Sequence, residues 1–543
     1  MNKLKLNILS LGLLCFGITG CSESYLDVES TTNVTTENYY KTIDDADRAL
    51  IGCYDGWQCT TSNGSLSIYV ASQVMSDECF GGTGNTDGKG YQAIDRFDIS
   101  VSSSDANLFN GTWNDYYAGI FRCNTLLQKL DQIDWKGDDE IRKRVEGETR
   151  ALRAIMYFDL ARLFGSVPLL TGPTAENLPQ AEPAEIYKLI AEDLKFAADN
   201  IPTNAYPKAN ASTNDGRITC YAAKALLARV YLFYTGYYGA SDLVGVVTKE
   251  QALAGLEDVI SSKEYDLVPE FKNLWPAASS TPVKGKFEFV STYAGDGNIE
   301  TVLSMKFNTT QDYNGNQDGN RWLVMMGMRN TNWSPYGKGW GACTVHPKVW
   351  NAFESGDKRK TASIIDLVGE GIESLFDLKD QREYTGYTVK KYTPMAFYDG
   401  TSASKADGSG DFQTSQHQDF VVVRYADVLL MAAELGSSNA QLYFDKVRSR
   451  AGLTTKEPSQ ENIMKERFVE FAFEGQRYWD LLRQGIDVAS STIAESGIEL
   501  KSGGNPDVIT ITADKIKTTK GFCQIPSTQI TLSDNVLKQN AGW

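Results

Sequence analysis

The sequence predicts a mainly α-helical fold in which paired helices stack as hairpins, with loop-rich and short-strand insertions folded onto them. Three observations carry this. Nine segments repeat apolar residues at helical spacing. Short connections join neighbouring segments, as in stacks of antiparallel hairpins. One stretch, about 263–423, loses that periodicity and turns to Gly, Asn, Ser and Thr clusters with many Trp and Tyr.

The first helix opens with Thr42 and Asp45, a capping box with Asp in place of Glu. Ala46, Leu50, Cys53 and Trp57 then share one face. The second covers about 109–131, with Trp113, Tyr116, Ile120, Cys123, Leu127 and Leu130 as its stripe. The third covers 140–164 and stops at Gly165, with Pro168 just beyond. Further helices are predicted at 183–200, 218–238, 248–262, 424–436, 439–451 and 461–484. The helical scaffold thus occupies about 31–262 and 424–543, around an insertion at 263–423 that contains a β-like run at 301–307. The polar stretches 81–90 and 400–416 read as mobile loops. Trp57, Trp113 and Trp479 lie on helical stripes and belong to the core.

Composition narrows the function. The 543 residues are 42% hydrophobic and 22% charged, ordinary globular usage. A net charge of −16 argues against a nucleic-acid partner, which needs a basic face. His346 and His417 are the only histidines, so a poly-His metal site is excluded and a Ser-His-Asp triad has little to build on. No Gly-rich phosphate cradle follows a strand. Aromatic residues are the mild excess, and exposed rings suit flat, amphipathic ligands.

The N-terminus fixes the compartment. Lys3 and Lys5 precede an apolar run at 6–16, and Gly20 precedes Cys21. This is a secretory signal, too short to serve as a membrane span. The Gly20–Cys21 junction resembles the lipobox of bacterial lipoproteins, in which the cysteine thiol is diacylated after cleavage. Residues 1–20 are then the signal peptide, 21–30 a lipidated tether, and 31–543 one domain. Of nine cysteines, Cys15 leaves with the signal and Cys21 carries lipid. The remaining seven form no CxxC pair and read as mostly buried thiols, with a Cys53–Cys59 bridge as the alternative.

Several motifs follow in order. YLDVE stands at 25–29, ETRALRAIMYFDLARLFGSVPL at 148–169 and AAKALLARVYL at 222–232. VRYADVLLM stands at 423–431, ERFVEFAFEGQRYWDLLR at 466–483, and IP at 525–526 precedes LKQNAG at 537–542. Together they resemble the RagB/SusD family of outer-membrane nutrient-binding lipoproteins of Bacteroidetes, over essentially the whole mature chain. The resemblance implies four tetratricopeptide-like helix pairs and a lipid anchor in the outer leaflet of the outer membrane. It implies a non-enzymatic role: capture of a nutrient, usually an oligosaccharide, and delivery to a SusC-like TonB-dependent β-barrel transporter.

Sugar recognition sets aromatic rings against pyranose faces, and loops on a rigid scaffold are where such residues collect. Two stretches qualify, at positions where the family's loops line a glycan site. The first runs from Asp77 and Phe80 through the Gly-rich loop to Tyr91. The second runs from Asp312 and Tyr313 through Arg321 and Trp322 to Trp333 and Tyr336. Trp340, between Gly339 and Gly341, reads as scaffold. Asp312, Asn314, Asn316 and Asp318 have the composition of a calcium loop but lack its twelfth-position Glu, and read as a solvated loop. Glu148 is expected to pair with Arg144, and Asp159 with Arg162. Glu470 and Glu474 share one helix face and read as part of an Arg–carboxylate packing network, not as an acid/base pair.

Three rival readings stay open at this level. Peptide capture would use a groove of backbone donors. A secreted glycoside hydrolase would need two carboxylates facing across a cleft, such as Asp77 or Glu78 opposite Asp312. A purely structural scaffold would bury Trp333 and Tyr336.

Overall fold

The computed structural model describes residues 39–62, 66–103, 107–174, 176–208, 216–329 and 333–543. The predicted signal peptide, Cys21 and the predicted tether lie outside these residues.

Four helical hairpins form the scaffold. In chain order the helices introduced here are α1 (Ile43–Ser62), α2 (Ile68–Val74), α3 (Gly90–Asp95), α4 (Asn110–Lys129) and α5 (Asp139–Phe164). They continue with α6 (Pro183–Asn200), α7 (Cys220–Tyr238), α8 (Lys249–Ser261) and α9 (Arg321–Met326). The C-terminal set is α10 (Tyr425–Glu434), α11 (Ala440–Arg450), α12 (Gln460–Glu470) and α13 (Arg477–Leu482). The pairs α1/α4, α5/α6, α7/α8 and α10/α11 pack within themselves, and each pair packs on the next. This is the stacked-hairpin order expected from the apolar stripes.

Local chemistry sets the helix ends. The Asp45 N–H donates to Thr42 Oγ1 (3.2 Å) and the Thr42 N–H to Asp45 Oδ2 (3.0 Å), the reciprocal cap read from the sequence. Asp138 caps α5 through the Ile141 N–H (3.0 Å), and α5 ends at Gly165. Capping boxes open α6 at Glu182 and α8 at Thr248. The first hairpin closes on two glycines. A Cβ on Gly56 would lie 2.8 Å from the Gly119 Cα, so only glycine lets α1 and α4 approach this far.

One predicted helix divides. The stretch 461–484 forms α12 and α13, separated by a turn in which Phe473 and Gly475 take positive φ of 64° and 72°. The apolar spacing continues across this turn, which is why periodicity read it as one helix.

Short strands in two-stranded pairs run through the insertion and join it to the segment 79–82. Introduced in chain order, β1 (Cys79–Gly82) pairs antiparallel with β3 (Ala342–Val345), and β2 (Thr301–Met305) with β4 (Phe420–Arg424). A C-terminal hairpin, β5 (Glu495–Ser502) and β6 (Asn505–Ile511), gave no signal in the helical reading.

Buried charges tie the insertion to the C-terminal helices. Glu470 accepts from Arg359 (2.9 Å), Arg424 (2.9 Å) and Arg450, and Glu474 accepts from Arg424 (2.8 Å) and Lys391 (2.7 Å). Glu300 accepts from Arg424 and Arg450, both at 2.5 Å. Burial works to raise the Glu470 carboxyl, but Arg450, Arg424 and Arg359 overcome it and hold the group well below the usual carboxylate range. The packing network expected for Glu470 and Glu474 is present, and so are Arg144–Glu148 (3.1 Å) and Arg162–Asp159 (2.5 Å). The described cysteines form no disulfide among themselves; six are buried and Cys59 is half-buried.

Candidate functional site

The Gly-rich stretch after Phe80 is a built loop. Buried Arg382 donates to the backbone oxygens of Asn85 (3.0 Å), Asp87 (2.7 Å) and Gly88 (3.0 Å). The neighbouring Glu383 carboxylate accepts from the Gly82 N–H (2.9 Å), Gln92 (2.9 Å) and Arg96 (2.6 Å). Gln381 donates to Gly341 O (3.0 Å) and Thr83 O (3.2 Å). Three consecutive side chains from the insertion therefore fix a loop nearly 300 residues upstream.

That loop forms one wall of a cavity of about 590 Å³. Its apolar surface comes from Leu66, Leu108, Met325 and two half-buried rings, Tyr91 and Trp340. Its polar surface comes from Thr83, Asp87, Asn107 and Arg329. Arg329 pairs with Asp87 (3.2 Å) and Asp380 (3.1 Å), which fixes its guanidinium. The Arg321 guanidinium lies 5.4 Å from the centroid of the Trp340 ring, a cation–π contact. Concave apolar surface with a few fixed polar groups is the general form of a small-ligand site.

Of the nine residues predicted for ligand contact, Tyr91 lines this cavity and Arg321 touches its Trp340. Four others are corrected by burial. Trp322 is 1% exposed, packed against Tyr69, Tyr392 and Phe420 in the core, on a short helix. Phe80 is buried and stacked on His346, with ring centroids 4.6 Å apart. Asp77 is buried in a bidentate pair with Arg477 (2.7 and 2.9 Å). Tyr336 is buried, its hydroxyl donating to Glu370 (2.7 Å).

Trp333 is half-buried beside Phe376 in a small satellite cluster away from the cavity lining. Asp312 and Tyr313 are exposed. Asp312 accepts from the backbone N–H groups of Asn314 (2.8 Å) and Asn316 (3.0 Å), and the Tyr313 hydroxyl meets Asp411 (3.2 Å). The would-be calcium loop spends its carboxylate on its own turns. Among the described residues, no group of three or more His, Cys, Asp or Glu side chains is placed to hold a metal ion.

The sequence reading assigns Trp340 to the scaffold, and the structure places it on the cavity lining. The signal lay in its neighbours. A Cβ on Gly339 would fall 2.4 Å from the Val324 carbonyl oxygen, and the Trp340 N–H donates to that oxygen at 2.7 Å. The glycine lets the backbone at 339–340 lie against α9, which leaves the indole at the cavity wall. Asp77 and Glu78 are buried, so the carboxylates named for hydrolysis are withdrawn from any open cleft. Burial raises the Glu78 carboxyl well above its usual value.

Comparison with known proteins agrees with this architecture. A family model described as "SusD family" matches residues 371–543, and one described as "Starch-binding associating with outer membrane" matches residues 24–232. SusD-like protein P2 of Formosa agariphila is 23% identical over the whole of both chains. A SusD-like protein of Bacteroides ovatus is 22% identical over 88% of this chain and 82% of that one. Among solved structures, a laminarin-binding SusD-like protein is 27% identical with a TM-score of 0.70, covering 93% of this chain and all of that one. Surface glycan-binding protein A from Bacteroides thetaiotaomicron, solved with laminarihexaose, shares the fold at 23% identity and a TM-score of 0.72, over 93% of this chain and 100% of its own. With models matching both ends, full-length relatives and the same helical stack, this chain belongs to the SusD/RagB family.

Proposed function

We propose that the protein is a cell-surface glycan-binding lipoprotein of the outer membrane, non-catalytic, that holds its ligand in the Tyr91–Trp340 cavity. Diacylated Cys21 anchors it, since two acyl chains hold a protein stably at about 0.8 kcal/mol per buried methylene. A SusC-like TonB-dependent β-barrel receives the ligand from it. The single observation that carries the reading is the chemistry of the cavity. Tyr91 and Trp340 offer flat apolar faces, and Thr83, Asp87 and Arg329 offer donors and acceptors beside them. A pyranose ring has the complementary surfaces, an apolar face and a polar edge. The 27% identical laminarin-binding protein supports laminarin as the first polymer to test. The family description supports the membrane address.

The test is affinity electrophoresis of the mature chain without Cys21, in gels containing laminarin and a panel of other polysaccharides. A peptide mixture is tested in parallel. Retardation by one polysaccharide class, lost in Trp340→Ala while the far-UV spectrum stays intact, is the expected result. Retention of peptides with no glycan binding would replace this reading by peptide capture.

A further inference from the structure

Two buried cysteines flank the glycine crossing of the first hairpin. Cys53 on α1 and Cys123 on α4 are both 0% exposed. Cys53 lies three residues before Gly56 and Cys123 four residues after Gly119, so each shares a helix face with its glycine. The helices run antiparallel: Asp134 N–H donates to Lys41 O (2.9 Å) at one end, and Thr112 Oγ1 to Leu66 O (2.6 Å) at the other. The two cysteines therefore stand on the same side of the crossing, about one turn from it, and their thiols are within hydrogen-bond reach of each other.

Packed helix axes usually lie about 8–10 Å apart, whereas a disulfide needs Cα atoms about 4.4–6.8 Å apart. The glycine crossing, where a Cβ on Gly56 would fall 2.8 Å from the Gly119 Cα, brings two helix backbones that close. Other pairings lack this approach. Cys59 is six residues from Cys53 on the same helix, about 9 Å of rise. Cys79 and Cys343 are also neighbours, but Cys79 lies opposite Val345, and diagonal strand neighbours stand about 7–8 Å apart. We propose that Cys53 and Cys123 close as a disulfide while the exported chain folds, stapling α1 to α4. This rests on the surface location proposed above, since disulfides persist in oxidising compartments outside the cytoplasm. The step is exchange with a protein disulfide oxidant: the two thiols lose two protons and two electrons, one S–S bond forms, and the oxidant's disulfide becomes two thiols.

The experiment recovers the lipoprotein from outer membranes of the cells that produce it, with thiols blocked by a maleimide at lysis in denaturant so that buried ones react. Peptide mapping is expected to show a Cys53–Cys123 cross-link, with Cys59, Cys79, Cys220, Cys343 and Cys523 blocked. Reduction is expected to lower the thermal midpoint by about 2–8 °C and to leave that of Cys53→Ser unmoved. Full blocking of Cys53 and Cys123, or a link from either to another cysteine, would overturn the proposal and leave the membrane reading intact. A chain found only in the cytoplasm would overturn the surface reading instead. The mature non-acylated chain, unfolded and refolded with reduced and oxidised glutathione, then tests the pair by itself, and absence of the link there would overturn it.

Discussion

The helical stack and the 263–423 insertion hold together by different means. In the stack, an apolar stripe on each helix meets the stripe of the next, so burial follows sequence spacing. In the insertion, elements are too short for a stripe, and order comes from charges and rings reaching far along the chain. Glu300, Arg359 and Lys391 meet Arg424, Arg450, Glu470 and Glu474, and the segment 381–383 fixes the 82–88 loop. The stack can be read locally. The insertion, which carries most of the cavity's polar fixing, depends on partners that no local window contains.

Removing one partner of that charge network tests the comparison most severely. Glu470→Ala leaves Arg359, Arg424 and Arg450 buried with one carboxylate fewer. The expected loss is about 3–5 kcal/mol, read by urea unfolding. Glu461→Ala removes an exposed pair with Lys465 and is expected to cost under about 0.5 kcal/mol. The pH dependence has a fixed sign. The folded Glu470 carboxyl titrates below its unfolded value, so its contribution is complete above an ordinary glutamate pKa of about 4.3. It falls away as pH drops below that value, and is gone only when pH has passed through the depressed folded value. A wild-type midpoint that stays flat from pH 7 to 3, or a Glu470→Ala midpoint near wild type, would break the contrast.

The second test sets Trp322, which the structure buries in the core, against Trp340, which it places on the cavity lining. Trp322 sits in a six-residue helix whose positions 322–326 are all buried, too short for a helical face to register as a period. The sequence reading places it in a loop-rich stretch, at a position where the family's loops line a glycan site. Trp340 was taken for scaffold because glycines flank it, yet the close backbone approach they permit is what sets its ring at the cavity. Asp77, Phe80 and Tyr336 failed for the same reason: Arg477, His346 and Glu370, their partners, stand at least 34 residues away in sequence. By contrast, the helix at 183–200 was legible to the residue, because Pro183, its capping box and its apolar face are all local. Trp322→Ala is expected to cost about 3–5 kcal/mol of stability by denaturant titration. Trp340→Ala is expected to leave stability nearly unchanged and to weaken glycan binding tenfold or more, about 1.4 kcal/mol. Equal stability losses in the two variants would show that the site ring is structural.

Within the stack, the tightest place is the Gly56–Gly119 crossing. Gly56→Ala drives a methyl against the Gly119 backbone, which cannot swing away as a side chain could. An overpacked contact of this kind costs about 1–3 kcal/mol. Gly52 is the control on the same helix, because a Cβ there meets nothing within 4 Å. Gly52→Ala is expected to raise stability by up to about 1 kcal/mol through helix propensity alone. Thermal midpoints of the two variants should therefore move in opposite directions, and matching shifts would remove the crossing as a constraint.

The smallest expected effect probes how the insertion holds its cavity ring. Arg321 is half-buried, its guanidinium lies over Trp340, and its Nε is buried without an acceptor. A cation–π contact at such a site contributes about 0.5–1 kcal/mol. Arg321→Met keeps an apolar stem of similar length and removes the charge. If Arg321 orients the indole, this variant weakens glycan binding about two- to fivefold while the thermal midpoint stays within a degree or two. Arg321→Lys restores a cation without the planar fork and recovers only part of the loss. Full affinity in Arg321→Met would mean that Gly339 and the Trp340 backbone bond to Val324 alone fix the ring. The cavity would then be set by the same short-range backbone packing that makes the helical stack legible, and the contrast between the two regions would narrow to the Gln381–Glu383 clamp.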